Sequence, residues 1–194
     1  MSNIKVACQT YTWEMLGPDW HGKVTDLLDW ISAAGYAGIE ITNNMIGEFA
    51  GRPDDFAAEL AARGLLLAAF NYSSPSGFTD PALLEADLAG GRAVIEFLRR
   101  FPQAKLGLSG AANADRSEAR AKLDLALRLY NAIGEEAAAA GLSANVHPHS
   151  HFGSLLESAE EYQYLLDNLD PRFVSFGPDT GHIIRGGQDL MTCL

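Results

Sequence analysis

The feature that most constrains this chain is a rhythm. Short apolar runs of strand length alternate with longer segments whose apolar residues recur at helical spacing, from one end to the other. Residues 4–9 read as a first strand; Val24, Leu27, Leu28 and Ile31 follow on one helical face, and Gly35 stops that helix. Residues 36–42 (YAGIEIT) read as a second strand. Arg52-Pro53-Asp54 opens a second helix that turns Phe56 and Leu60 inward and ends at Gly64. A third strand is expected over 65–71, then a helix from Asp80-Pro81 to about Arg100, with Gly90-Gly91 as a weak point inside it. A fourth strand is expected over 105–109. Leu123, Ala126, Leu127, Tyr130 and Ile133 mark the helix after it, which ends at Gly141. Then come a strand over 142–147, a helix marked by Tyr162, Leu165, Leu166 and Leu169, a strand over 173–177, and in 190–194 the first turn of a sixth helix.

Strand-then-helix alternation without a hairpin signal implies a parallel sheet with helical crossovers, as an open doubly wound sheet or a barrel. A dinucleotide-binding open sheet needs a Gly-rich turn after its first strand, and here the chain reads TYTWEMLG. The barrel is preferred. A complete barrel of eight units takes about 250 residues. The 194 residues hold about six, so the expectation is a single partial barrel domain over 1–194, without its last two units. Such a barrel would expose the edges of its first and sixth strands and part of an apolar interior, which predicts a homo-oligomer that covers them.

Composition narrows the function classes. Asp and Glu number 25 against 14 Lys and Arg, a net charge of −11 with no basic patch, which opposes nucleic-acid binding. The one adjacent basic pair, Arg99-Arg100, suits a helix end. No run is long and apolar enough for a membrane span, and the N-terminus lacks a signal-peptide pattern, so a cytoplasmic location is expected. Cys8 and Cys193 have neither metal-motif nor redox-pair spacing, and Cys8 reads as a small buried hydrophobe.

In parallel β/α folds ligands bind where the strands end. Those ends carry Gln9, Tyr11 and Trp13 after strand 1, Glu40 and Asn43 at strand 2, Asn71 and Tyr72 at strand 3, and Ser109-Gly110 at strand 4. Strand 5 ends in His147-Pro148-His149-Ser150-His151 and strand 6 in Asp179-Thr180-Gly181-His182. Four of the five histidines therefore fall at two neighbouring strand ends, where imidazole nitrogen and carboxylate oxygen suit a divalent metal. His21 lies in a polar stretch before a helix and reads as a surface residue.

The segments AGYAGIEIT, GRPDDFAAELAARGL, VHPHSH and PDTGHIIRGGQD resemble the xylose isomerase-like TIM barrels, in particular the sugar phosphate isomerase/epimerase branch with its inosose dehydratases and ketose 3-epimerases. AP endonucleases of that superfamily share a D-T-x-H strand end. The resemblance implies one divalent metal, most often manganese with zinc or magnesium as alternatives. Its ligands are a Glu or His after strand 5, an Asp after strand 6, a His after strand 7 and a Glu after strand 8. Carried over, the metal ligands are His147 and Asp179, and the last two positions have no counterpart here. VHPHSH is closer to the H-x-H form of inosose-dehydratase-like members than to the E-N pattern of the epimerases. Glu40, His149 and His182 are then the candidate proton-transfer groups, with Gln9, Tyr11, Trp13, Asn71, Tyr72 and Arg185 as substrate contacts. The implied activity is metal-assisted proton transfer next to a carbonyl of a sugar or polyol (isomerisation, epimerisation or dehydration), with little turnover from a chain holding half the ligands. The alternatives are a non-catalytic barrel fragment that oligomerises or binds a ligand and, against the charge, an endonuclease.

Overall fold

The computed structural model describes residues 4–193; Leu194, which the sequence assigns to a helical turn, lies outside them. Six parallel strands lie side by side in chain order: β1 (Ala7–Gln9), β2 (Gly38–Thr42), β3 (Leu66–Tyr72), β4 (Lys105–Ser109), β5 (Ser143–His147) and β6 (Val174–Phe176). Helices connect them: α1 (Tyr11–Glu14) and α2 (Val24–Ala33), α3 (Pro53–Ala62), α4 (Leu84–Leu98), α5 (Ala119–Ala139) and α6 (Ala159–Asn168), followed by α7 (Thr180–Arg185) and α8 (Leu190–Cys193) after β6. This is an incomplete TIM-barrel-like sheet: the strands follow in chain order, as the barrel reading expects.

Parity along each strand decides what faces what. Ile39, Ile41, Leu67, Phe70, Leu106, Leu108, Ala144, Val146 and Val174 are buried against the helices. They meet Leu27, Leu28 and Ile31 of α2, Phe56 of α3, Phe97 of α4 and Tyr130 of α5 in one continuous core. Phe70 stacks on Phe97 at 5.0 Å between ring centroids, and Phe56 touches Phe49, Phe97 and Phe101 within 6.0 Å.

The opposite, concave face carries the other parity: Ala7 and Gln9, Gly38 and Glu40, Ala69 and Asn71, Gly107 and Ser109, Asn145 and His147, and Ser175. Thr42 and Leu66 share this parity, and Leu66, in register with Gly38 at the start of β3, is the one large apolar side chain with it among the described strand residues. The expected apolar interior is therefore corrected to a polar one. Barrels fill their centre with bulky branched residues, but here the branched residues, Leu66 and Thr42 apart, take the helix-facing parity.

Two further expectations change. The first strand begins at Ala7 rather than Ile4, because Ile4 and Val6 are exposed at the edge and β1 pairs only with β2. Gly90-Gly91 is no weak point: α4 runs through it unbroken. A Cβ at Gly90 would sit 2.2 Å from the Tyr72 hydroxyl and one at Gly91 2.9 Å from Ile133, so both glycines mark close packing. Cys8 is half-buried rather than buried.

Candidate active site

The strand ends bring His147 and Asp179 together. His147 closes β5, and its Nδ1 lies 3.0 Å from the Gly177 carbonyl oxygen. A carbonyl only accepts, so Nδ1 carries the proton and the neutral ring keeps its lone pair on Nε2, as in ligating histidines, whose other nitrogen donates to a carbonyl or carboxylate. Nε2 faces Asp179 Oδ2 at 3.7 Å. Two ligands at about 2.1 Å from a tetrahedral ion stand roughly 3.4 Å apart, so this pair fits two positions of a divalent metal's first shell. Among the described residues no group of three or more His, Cys, Asp or Glu side chains converges on a metal position, so the four histidines do not form one shell.

Asp179 does a second job. The D-T-G-H segment, read as a strand end, is the N-terminus of α7. Asp179 is its N-cap, with Oδ1 accepting the His182 backbone N–H at 3.0 Å. Burial raises the pKa of this carboxyl, but the backbone N–H of His182 and the imidazoles of His182 and His147 outweigh it and hold it below the usual value. The α7 turn also fixes His182. Its Nδ1 accepts the Ser150 N–H at 3.1 Å, which places the proton on Nε2, while Ser150 Oγ donates to the His182 carbonyl at 2.8 Å. In this tautomer His182 presents a donor at Nε2 rather than a ligating lone pair.

His149 lies between these two, 4.7 Å from the His147 ring and 4.8 Å from the His182 ring, and stacks on Tyr11 at 6.3 Å. Burial, and then the three imidazoles around it, push its pKa down to about 3, so it is neutral at pH 7. His151 sits 5.9 Å from His149 and turns its Nδ1 to the neighbouring Phe152 carbonyl. The loop after β5 is held by its neighbour. Asn113 N–H donates to Gly153 O at 2.6 Å, Leu155 N–H to Ala111 O at 2.9 Å, and Arg116 bonds both the Ser154 carbonyl and Glu161.

On the concave face Glu40 Oε1 accepts from Asn71 Nδ2 at 2.6 Å and from Gln9 Nε2 at 3.1 Å. One carboxylate oxygen is thus held by two carboxamides. Asn71 can lie flat because β4 has glycine beside it: a Cβ at Gly107 would fall 1.7 Å from Asn71 Oδ1. Gln9, Tyr11, Asn71, His147 and His149 line one small cleft of about 30 Å³. Three larger clefts have none of these groups: two, of about 330 and 520 Å³, lie beside Tyr164, and one of about 440 Å³ lies between Leu60 and Phe101.

Three expected substrate contacts are not gathered here. Tyr72 has the wrong parity: it is buried under α4 and donates its hydroxyl to the Asp87 carbonyl at 2.9 Å. Trp13 lies on α1, a turn that sequence reading missed, and packs on Trp30 of α2 at 6.5 Å. Arg185 is exposed at the end of α7, with no ion pair to the cluster among the described residues. Glu14 was missed as well; it accepts from Thr42 Oγ1 at 2.6 Å and Asn44 Nδ2 at 2.8 Å, tying α1 to β2 and holding Tyr11 over the cleft.

Residues 28–192 match the family model described as xylose isomerase-like TIM barrel. An inosose dehydratase of Geobacillus thermodenitrificans is 25% identical over 194 aligned residues, 91% of this chain and 61% of that protein. The chain thus spans less than two thirds of that relative's length. Among solved structures, the IOLI protein with a bound zinc atom superposes with a TM-score of 0.77 at 13% identity, over 96% of this chain and 66% of that one. A xylose isomerase-like TIM barrel protein from Mycobacterium smegmatis in complex with magnesium gives 0.72 at 16% identity, over 94% and 67%. At these identities the superpositions establish the fold.

Proposed function

The chain belongs to the xylose isomerase-like TIM barrel family, and on that premise we propose that its strand ends form part of a divalent-metal site for proton transfer next to a carbonyl of a sugar or polyol. The observation that carries this reading is the His147 Nε2 lone pair facing Asp179 Oδ2 across 3.7 Å, above a carboxylate held by two carboxamides. Manganese is the metal proposed, and the zinc-bound and magnesium-bound solved structures that share this fold support a divalent ion in general. Bound there, such an ion supplies Lewis acidity toward a ketone or hydroxyl oxygen.

This chain's own residues supply the rest. Glu40 keeps Oε2 clear of the two amides that hold Oε1 and is the proton acceptor proposed. His182 offers an Nε2–H to a substrate oxygen, and His149 beside it, kept neutral, can accept a hydrogen bond from a substrate hydroxyl. Isomerisation, epimerisation and dehydration share this first proton transfer. With two protein ligands the ion is weakly held, so turnover by these residues alone is expected to be low. The partners proposed are a small sugar or polyol and a second copy of the chain across the edges of β1 and β6, each of which pairs on one side. Neither nucleic acid nor membrane is proposed, and the location is cytoplasmic. The test is a panel of inososes, ketoses and polyols with added Mn²⁺, with and without chelator; turnover that chelator leaves unchanged refutes the proposal.

A further inference from the structure

One polar group of the concave face stands apart from the network described above. Asn145 is in the middle of β5, two residues before His147, so period-two alternation puts its side chain on the same face, about 6.6 Å deeper. Its neighbours in register are Gly107 on β4 and Ser175 on β6, which leave room on both sides. It leans toward β6: a Cβ at Gly177 would lie 2.5 Å from Asn145 Oδ1. Two residues beyond Gly177 is Asp179. The carboxamide thus lies beneath both members of the His147–Asp179 pair.

Its hydrogen-bonding state is the second observation. Gln9 and Asn71 each donate to Glu40 Oε1, and Ser175 Oγ donates to the Ala144 carbonyl at 3.2 Å. Asn145, half-buried, has no side-chain partner among the described residues. A half-buried amide with two donors and one acceptor, on a polar face and with no protein partner, is free to bond a ligand.

We propose that Asn145 is a ligand-binding residue of this site, its carboxamide taking adjacent hydroxyl or carbonyl oxygens of a polyhydroxylated molecule below the His147–Asp179 pair. The inference rests on the sugar or polyol reading of that pair and adds to it the residue that sets which oxygens are held. Loss of one or two neutral hydrogen bonds corresponds to several-fold to about tenfold in affinity.

The experiment titrates the 194-residue chain, with Mn²⁺ present, with inosose and with D-tagatose, reading affinity by calorimetry and the Asn145 side-chain amide by NMR. Binding to the wild type with movement of that amide resonance is expected. Affinity should fall about tenfold in Asn145→Ala, and by several-fold or more in Asn145→Asp, which keeps the shape and loses the donors. Mn²⁺ affinity, read by electron paramagnetic resonance, should stay within about twofold in both. A folded variant with wild-type affinity for the probe, or an Asn145 amide that stays still while others shift, overturns this inference and leaves the metal-site reading standing. A wild-type chain that binds neither probe overturns both.

Discussion

Replacing Gly90 by alanine tests the packing argument where it opposes simple helix propensity. Gly90 lies in the middle of α4, where alanine is favoured over glycine by about 1 kcal/mol. Propensity alone therefore predicts a more stable protein. The structure predicts the reverse. The new Cβ would stand 2.2 Å from Tyr72 Oη, 2.7 Å from Cζ and 2.9 Å from Cε2, well inside the ~3.5 Å at which carbon contacts become favourable. Tyr72 has nowhere to go: it is 2% exposed, its ring meets Phe78 edge-on at 5.6 Å, and its hydroxyl is bonded to the Asp87 carbonyl. Overpacking costs about 1–3 kcal/mol, and stranding the buried hydroxyl about 1–3 more. Against the helix gain, the net loss is on the order of 3 kcal/mol, or roughly 6–12 °C in Tm for a chain of this size. Urea unfolding of Gly90→Ala, alone and in a Tyr72→Phe background, measures it. Removing the hydroxyl removes the nearest atom, so the alanine should cost less in the second background. A stabilised Gly90→Ala, or an equal cost in both backgrounds, refutes the reasoning.

Other consequences are as open to measurement. Asp179→Asn and His147→Ala should each weaken Mn²⁺ binding at least tenfold, read as free Mn²⁺ by electron paramagnetic resonance; unchanged binding removes the pair as ligands. In chelated protein, His149 has a folded-state pKa of about 3, below the ordinary 6.5. The unfolded chain therefore binds its proton first, and this contribution to stability is complete above pH 6.5 and lost as pH falls toward 3. The slope is at most about 1.4 kcal/mol per unit, and the urea midpoint of His149→Gln should change less between pH 7 and pH 5 than that of the wild type. Gly107→Ala drives a Cβ into the Asn71 carboxamide and should break the Asn71–Glu40 bond, visible as a moved Asn71 side-chain amide resonance, with a stability loss of about 1–3 kcal/mol. Arg116→Ala releases the clamp on the loop after β5, so the Leu155 amide, bonded to Ala111 O, should exchange with deuterium faster than in the wild type, with the Val146 amide as the internal control.

The fold was legible because its signal is long-range and repeated. Six apolar runs, each followed by a helical face such as Val24-Leu27-Leu28-Ile31, leave little but a parallel sheet, and only strand ends moved. What was illegible is short. Helices α1 and α7 have four and six residues, too few for a periodicity, so Tyr11-Thr12-Trp13 and Asp179-Thr180-Gly181-His182 read as loop and strand end. The second of these did carry a signal, an aspartate placed to cap the N–H three residues on. Recognising it separates the two histidines of the cluster: His147, on a strand, keeps a lone pair for an ion, while His182, inside a capped turn, has its Nδ1 taken by Ser150.

The concave face carries the same lesson in strand form. Adjacent residues of a strand cannot both face the ligand, so Asn71 and Tyr72 could not both be substrate contacts. Register decides between them: Asn71 shares parity with Glu40 and Gln9, and Tyr72 with Phe70 in the core. Applied along β5, the same rule selects Asn145 from His147 without any structure, since SANVH alternates polar and apolar residues from Ser143 to His147. What the rule cannot supply is whether a selected group is already satisfied. Asn71 and Asn145 have the same chemistry and parity, and each leans over a glycine, Gly107 in the next strand for the first and Gly177 just past it for the second. They differ only in that Glu40 stands beside the first. The functional reading of this face therefore turns on hydrogen-bond partners across strands about 30 residues apart, which only the assembled sheet discloses.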